Sequence, residues 1–396
     1  MLGCSIFPLR HDLMANVLPQ LLIKSGTSYI IADAITGNEN IPIIKTSQLQ
    51  ATVTTIQKNL SSLALPLNTI HLIIATSGST AIPKAVMLTG NNITAAVTAS
   101  LKLIPLIPTD RWLQCLPLYH IGGISIIYRC AHAAATVVML DNGNNVAIAQ
   151  ALVAHHCTHI SLVPSMLARL LDIMPTPPPQ LKYVLIGGAA LDPALAHRAL
   201  AQNWPLCISY GMSETCSQIA TLCNPPSNWP GQLVGKPLSG MQVRIDHTTK
   251  RIQVRGKMLM AGYANPNHHS DVYIEENSWF TTADLGYIDV YGQLWITGRA
   301  DEIINSGGIK IHPAQIEILL KKCPDVIEIA IIGKPNPIWG DIIVAVYVGT
   351  IEPTALEAWC RQHLHSTMRP REFIQVKNLP RTALEKLDYI AIRAIA

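Results

Sequence analysis

The sequence predicts an α/β fold: a large N-terminal domain of α/β sheets with an antiparallel β section, and a small C-terminal α+β domain. Three observations carry that prediction. From residue 70 to about 245, short apolar runs alternate with helix-length segments, the pattern of a parallel sheet covered by helices. After residue 230 the texture changes to alternating strands joined by polar turns, as in antiparallel hairpins. From about residue 302, beyond "GRADE", helices and strands mix again, which sets the domains at 1–300 and 301–396.

The elements follow in order. "HLIIAT" reads as a strand and "GNNITAAVTASLKLI" as a helix, with a small turn between them. "RWLQCLPLY" and "HISLVPS" read as strands on either side of the helix "NVAIAQALVAHH". "PTPPP" is a loop, because proline removes the donors a helix or ladder needs. "LKYVLIGGAAL" is a strand running into a glycine turn, "PALAHRALAQ" a helix, and "PLCISYGMSET" a strand into a second turn. "HTTK" and "VYGQ" mark hairpin turns in the antiparallel section. The last segment offers the helices "PAQIEILLKK" and "LEAWCRQHLH" around the strands "IEIAIIG" and "DIIVAVYVG".

Totals narrow the function. Of 396 residues, 49% are hydrophobic and 14% charged, against roughly a quarter charged in average domains, so the chain is globular with a large core. The net charge of +4 comes from scattered basic residues, with no run that reads as a nucleic-acid patch. The N-terminus lacks the apolar core of a signal peptide, and Arg129 and His132 interrupt the apolar stretch around 121–140, which argues against a membrane span. The nine cysteines form no C-x-x-C, so buried free thiols in a reducing, cytoplasmic setting are expected. Oligomeric state is left open, a homodimer included.

Several turns carry chemistry. "TSGSTAIPK" places Thr76, Ser77, Gly78, Ser79, Thr80 and Lys84 after an apolar strand. Exposed N–H groups, hydroxyls and a lysine can cradle a polyphosphate; a plain Ser/Thr-rich turn is the alternative. "SYGMSETC" offers the Tyr210 ring for a base, Gly211, the Ser213 hydroxyl for phosphate and the Glu214 carboxylate for Mg²⁺. Gly187, Gly188 and Ala189 follow a strand and allow close approach to a planar ligand, or make an ordinary tight turn. Asp284 can take two ribose hydroxyls, Arg299 follows a glycine at a strand end, and Lys386 lies in a late loop; each alone also reads as a solvated charge.

Taken together and in order, these segments resemble the adenylate-forming superfamily of acyl- and aryl-CoA ligases, adenylation domains and luciferases. The family pattern is T-S-G-[ST]-T-G-x-P-K, Y-G-x-[ST]-E, T-x-D-x-G, G-R-x-[DK], S-G-G-x-K and P-[RK]-T-x-x-G-K. This chain matches with "TSGSTAIPK", "YGMSE", "TADLG", "GRAD", "SGGIK" and "PRTALEK", between about Ile73 and Tyr389. It departs from the pattern at Ala81 and Ala85 in the phosphate loop and at Glu385 before the terminal lysine, and the region before the loop is short. "LPLYHIGGISIIYRC", "THISLVPSMLARLL", "LKYVLIGGAAL" and "LKLIPLIP" are further similar to the o-succinylbenzoate–CoA ligases of menaquinone biosynthesis.

The resemblance implies ATP, Mg²⁺ and coenzyme A, with a small aromatic carboxylic acid as substrate. An acyl-adenylate would form first, and a thioester from it. The phosphate loop would hold the β/γ-phosphates, Glu214 with Thr80 the metal, Tyr210 the adenine, and Asp284 and Arg299 the ribose. Lys386 would bridge the carboxylate and α-phosphate, and Asp301 would be the hinge on which the C-terminal domain turns between half-reactions. His120 would contact the substrate, with Ser165, Gly187 and Arg129 around it, Arg129 being a candidate for a second carboxylate and Arg169 a weaker one. Other aryl- or acyl-CoA ligases, a carrier-protein-loading enzyme and a non-catalytic relative are the competing readings.

Overall fold

The computed structural model describes residues 4–9, 21–22, 25, 27–31, 42–44, 66–76, 84–140, 144–264, 272–274, 277–382 and 387–396. Its contacts divide the chain into two compact units. One comprises Met1–Trp229, Gly235–Gln242 and Val254–Phe280; the other comprises Pro230–Val234, Val243–Gln253 and Thr281–Ala396.

In the larger unit a short parallel pair, Ile30–Ile31 with Ile43–Ile44, precedes an antiparallel pair, β1 (Ile70–Thr76) and β2 (Lys84–Thr89). Helix α1 (Gly90–Leu103) follows, started by a reciprocal cap between Thr89 and Asn92 that satisfies two otherwise orphaned donors. Then β3 (Arg111–Gln114), α2 (Ile121–Ala133), β4 (Thr136–Met139), α3 (Asn145–Ala154), β5 (His159–Leu162), α4 (Pro164–Ile173), β6 (Tyr183–Ile186), α5 (Pro193–Ala201) and β7 (Leu206–Met212) alternate as expected. Proline at the first positions of α4 and α5 suits a helix start, where its missing N–H costs nothing. Strands β3 to β7 are parallel in the order β4-β3-β5-β6-β7, and β8 (Ser217–Cys223) returns antiparallel on β7. The chain goes from β3 outward to β4 and then back past β3 to β5. The order therefore reverses between β3 and β5, the point where open α/β sheets bind ligands beyond their strand ends.

Two expectations are corrected. The first strand does not join the parallel sheet or feed a helix through the phosphate loop. It forms a separate sheet, in which β2 lies between β1 and β9 (Gly262–Tyr263). "KAVMLT" is itself a largely buried strand before the helix, and residues 77–83 lie outside the described residues. The second correction concerns the thiols. Cys207 and Cys223 form a disulfide, and the other seven cysteines are free, five of them buried. The two cysteines stand directly opposite each other on β7 and β8, a register that spacing along the sequence does not reveal. The strand in "RWLQCLPLY" is also shorter than its text, ending at Gln114.

The smaller unit contains the hairpin of β10 (Phe280–Ile288) and β11 (Leu294–Arg299), turning at Val290–Gly292. Beyond it, β12 (Ile304–Ser306) and β13 (Ile309–Ile311) pair, then come α6 (Pro313–Leu320), β14 (Val326–Asn336), β15 (Gly340–Gly349), α7 (Pro353–His363), β16 (Glu372–Gln375) and α8 (Tyr389–Ile395). Alternate residues of β14 serve two cores: Ile329 and Ile331 face one, Ala330 and Ile332 the other. The sheet is therefore covered on both faces, an α+β arrangement in line with the sequence. Among the described residues no helix is long and apolar enough to cross a membrane.

Candidate active site

The reversal between β3 and β5 sets the centre of the site in the larger unit. The segment after β3 carries His120, which begins α2 in an extended conformation with its ring 4.6 Å from that of Tyr119. The segment after β5 carries Ser165 in the first turn of α4, its Oγ buried with no hydrogen-bond partner among the described residues. Arg169 lies one turn further along the same helix face. Gly187 and Gly188 follow β6, and Gly188 has φ +84°, a left-handed conformation that a side chain would strain. Ala189 continues that turn as an exposed residue.

Arg129 lies on α2 and is 3% exposed. Its Nη2 donates to Gln218 Oε1 at 3.0 Å and Ser217 Oγ at 3.4 Å, while Nε and Nη1 have no partner among the described residues. The guanidinium carbon stands 5.4 Å from the Trp112 ring centroid. Burial lowers its pKa to about 10. No carboxylate is paired with this cation among the described residues, an arrangement that is costly in a protein interior.

Tyr210, Gly211, Ser213 and Glu214 sit where β7 passes through a short 3-10 turn (Ser213–Thr215) into β8. Only glycine fits at 211, since a Cβ there would lie 1.6 Å from the Ser217 carbonyl oxygen. Glu214 Oε1 accepts a hydrogen bond from the Tyr263 hydroxyl at 2.7 Å, and its other oxygen has no partner among the described residues. Burial, then the adjacent Glu214 charge, hold the Tyr263 phenol well above its usual pKa, so it remains a donor. Lys84 Nζ rests 5.0 Å from the centroid of the same ring. Tyr263 was not singled out in the sequence; its "GY" carries no signal without the pairing of β9 on β2. Thr76 closes β1, its hydroxyl donating to the Lys84 carbonyl at 3.4 Å, whereas Ser77, Gly78, Ser79 and Thr80 lie outside the described residues.

The smaller unit brings together its own predicted residues. Arg299 donates to Asp284 Oδ1 at 3.2 Å and to Asp301 through Nε at 2.9 Å and Nη2 at 2.6 Å. Burial opposes the guanidinium charge, but the carboxylates of Asp301 and Asp284 outweigh it and hold its pKa above the ordinary value. Burial also raises the neighbouring Glu302 to about 7. Asp284 and Arg299 are thus bound to each other. Lys386 lies outside the described residues.

Comparison with known proteins decides the family. Residues 1–265 match the AMP-binding enzyme family, and residues 315–386 match the AMP-binding enzyme C-terminal domain. The chain belongs to the AMP-binding enzymes. A curated 2-succinylbenzoate–CoA ligase of Bacillus pumilus is 35% identical over 333 residues, covering 81% of this chain and 68% of the relative. That of Bacillus velezensis is 34% identical over 323 residues, covering 79% of this chain and 66% of the relative. This AMP-binding enzyme therefore spans about two thirds of the length of those relatives. The solved structure of o-succinylbenzoate CoA synthetase (MenE) from Bacillus subtilis with the acyl-adenylate intermediate OSB-AMP superposes with a TM-score of 0.83 at 28% identity, covering 96% of this chain and 81% of that one.

The groups such an enzyme uses fit the residues present. A Mg²⁺ ion is commonly held by one or two carboxylates together with substrate phosphates, and Glu214 offers one oriented carboxylate with an open oxygen. Desolvation pushes the Cys115 and Cys216 thiols up to about 12 and that of Cys130 to about 11, so none of the three supplies a thiolate near neutral pH.

Proposed function

We propose that this chain is an AMP-forming o-succinylbenzoate–CoA ligase of menaquinone biosynthesis, working in the cytoplasm. The observation that carries the substrate is Arg129, a buried guanidinium with two unpartnered nitrogens on the helix that follows the sheet's reversal. o-Succinylbenzoate has one carboxylate on its succinyl arm, to be activated, and one on its ring, to be recognised. A buried cation lacking an acid suits the second. The names and solved complexes of the relatives support the same acid.

In this reading the arm carboxylate attacks the α-phosphorus of ATP and pyrophosphate leaves. The thiol of coenzyme A then attacks the acyl carbon, loses its proton, and AMP leaves. Such transfers depend on positioning and charge neutralisation rather than on covalent help from the protein. Thr76 to Thr80 and Lys84 hold the β/γ-phosphates; Tyr210, Gly211, Ser213 and the turn at Gly187–Ala189 bound the adenine and phosphates; Asp284 and Arg299 hold the ribose. Bound Mg²⁺ at Glu214, with Thr80, supplies positive charge against the polyphosphate. His120 and Ser165 contact the acid. Lys386 neutralises charge developing between the carboxylate and the α-phosphate. It must then clear the space for the thiol, so residues 301–396 turn about Asp301 between the half-reactions.

The test is acid-dependent pyrophosphate release. o-Succinylbenzoate is expected to give a higher kcat/KM than benzoate, 4-phenylbutyrate or medium-chain fatty acids; equal turnover of the last three would remove the substrate assignment. Lys386→Ala is expected to nearly abolish that release yet spare thioester formation from supplied acyl-adenylate, and equal loss in both steps would refute the domain rotation.

A further inference from the structure

We infer that Tyr263 is a positioning residue that fixes Glu214 and Lys84 together, one through its hydroxyl and the other through its ring face. The inference rests on the roles given to Glu214 and Lys84 above.

Three elements meet at this residue. Tyr263 lies on β9, paired with Val86 of β2, and Lys84 stands two residues earlier on that strand. The backbone around it is tied to both sides. Ala264 N donates to the Ala85 carbonyl at 2.9 Å, and Ala261 N to that of Met87 at 3.0 Å. Met260 N donates to the Glu214 carbonyl at 2.8 Å. The phenol is thus carried on a short ladder that also holds the turn bearing Glu214.

The side chains complete the arrangement. The hydroxyl donates to Glu214 Oε1 at 2.7 Å, which selects one orientation of a carboxylate that otherwise turns about three bonds. The second oxygen keeps no partner among the described residues. On the ring face, Lys84 Nζ at 5.0 Å lies within cation–π range, so the long lysine is steered without its charge being neutralised by an acid. A carboxylate for a metal and an ammonium for phosphate are thereby oriented by one rigid ring, while the two charges are kept apart. Phenylalanine would keep the ring contact and lose the donor; leucine would lose both.

Calorimetric titration of the full-length protein with ATP, in excess Mg²⁺ and again in a chelator, separates these contacts. Glu214→Gln should weaken Mg·ATP binding and leave chelated-ATP binding unchanged. Tyr263→Phe should weaken Mg·ATP binding ~10-fold, the loss of one hydrogen bond to a charged group, with higher Mg²⁺ restoring part of it. In the Glu214→Gln background, Tyr263→Phe should add nothing, since neighbours acting through one another are not additive. Tyr263→Leu should also weaken chelated-ATP binding, because Lys84 loses its platform. An unchanged Mg·ATP constant in Tyr263→Phe beside a clear loss in Glu214→Gln would overturn the inference and leave the role of Glu214 standing. So would full additivity in the double variant. No Mg²⁺-dependent loss in Glu214→Gln would overturn both.

Discussion

Arg129→Met should separate stability from recognition in opposite directions. The methionine keeps most of the apolar stem and removes the charge. The fall of the Arg129 pKa from 12.5 to about 10 on burial corresponds to about 3 kcal/mol against the charged form. Against that gain stands the lost contact to Gln218. Its Oε1 keeps a donor in Ser100 Oγ at 2.6 Å, so no buried acceptor is stranded. Replacing buried charge by apolar side chains is often neutral or stabilising, and the variant should unfold in urea at the same or a higher concentration. Recognition should move the other way. A charge-assisted hydrogen bond contributes about 1.5–3 kcal/mol, so kcat/KM for o-succinylbenzoate should fall roughly 10- to 100-fold. The same acid without its ring carboxylate, 4-oxo-4-phenylbutanoate, should be turned over as before. The cavity that Arg129 lines with Ser125, Tyr128 and Cys216 measures ≈ 10 Å³, about one water's room. A carboxylate therefore meets the guanidinium only as these side chains withdraw, which the flexible arginine stem permits. Pyrophosphate release with the two acids is the assay. Equal losses on both acids, or a stability loss above about 2 kcal/mol, would refute the argument, because Arg129 would then be a structural cation.

Two further outcomes test the frame around the site. His159 is fully buried between the rings of Trp112 and Tyr183, at 5.1 Å from each, and its Nε2 donates to the Pro105 carbonyl at 3.1 Å. Burial lowers its pKa from 6.5 to about 4. The folded state thus binds fewer protons than the unfolded one between those values, and stability is lost as pH falls through that window. Urea unfolding should show about 2 kcal/mol less stability at pH 5 than at pH 7.5 from this group, and His159→Phe should lack that component; an unchanged slope in the variant would sink the assignment. Gly211→Ala should abolish ATP binding and lower Tm, because its Cβ meets backbone at Ser217, whereas Gly122→Ala, whose nearest neighbour is the Leu116 side chain at 3.6 Å, should be tolerated. A functional Gly211→Ala protein would mean that the turn between β7 and β8 is laid out differently.

What the sequence disclosed depended on whether a feature is written locally. The alternation of strand and helix from residue 111 onward is local periodicity, and it appears in the fold almost as read. Helix α2 was harder to see. It opens with Gly122 and Gly123 and buries Ile124, Ser125, Ile126, Arg129 and Cys130. Its polar residues therefore mark no solvent face. Strand β2 has no signal of its own in the sequence, because "KAVMLT" is a short run directly before a helix and only its pairing with β1 and β9 marks it as a strand. The Cys207–Cys223 bridge and the Tyr263–Glu214 bond join residues 16 and 49 positions apart. Strand register makes both contacts, and no spacing rule reaches them.

The site itself became legible where polar residues violate the logic of a buried core. Native interiors leave few polar groups unpaired. Among the described residues, Trp112 Nε1 and Gln114 Oε1 on β3, Ser161 Oγ on β5, Ser165 Oγ on α4 and two Arg129 nitrogens on α2 are buried without partners, and Gln202 Oε1, His312 Nδ1 and Thr382 Oγ1 are so elsewhere. The first six atoms lie on the two strands between which the sheet order reverses, or on the helices that follow those strands. A core selected for stability alone would have replaced them with apolar residues at little cost in packing. Their concentration at one place is what a ligand-binding region requires: groups held in low dielectric, where a charged or hydrogen-bonding ligand gains most from meeting them. The sequence motifs indicate where a nucleotide binds. Under the function proposed above, these stranded donors and acceptors are the candidates for meeting the acid, and they are what would set a pocket for a second carboxylate apart from one that is apolar to its end.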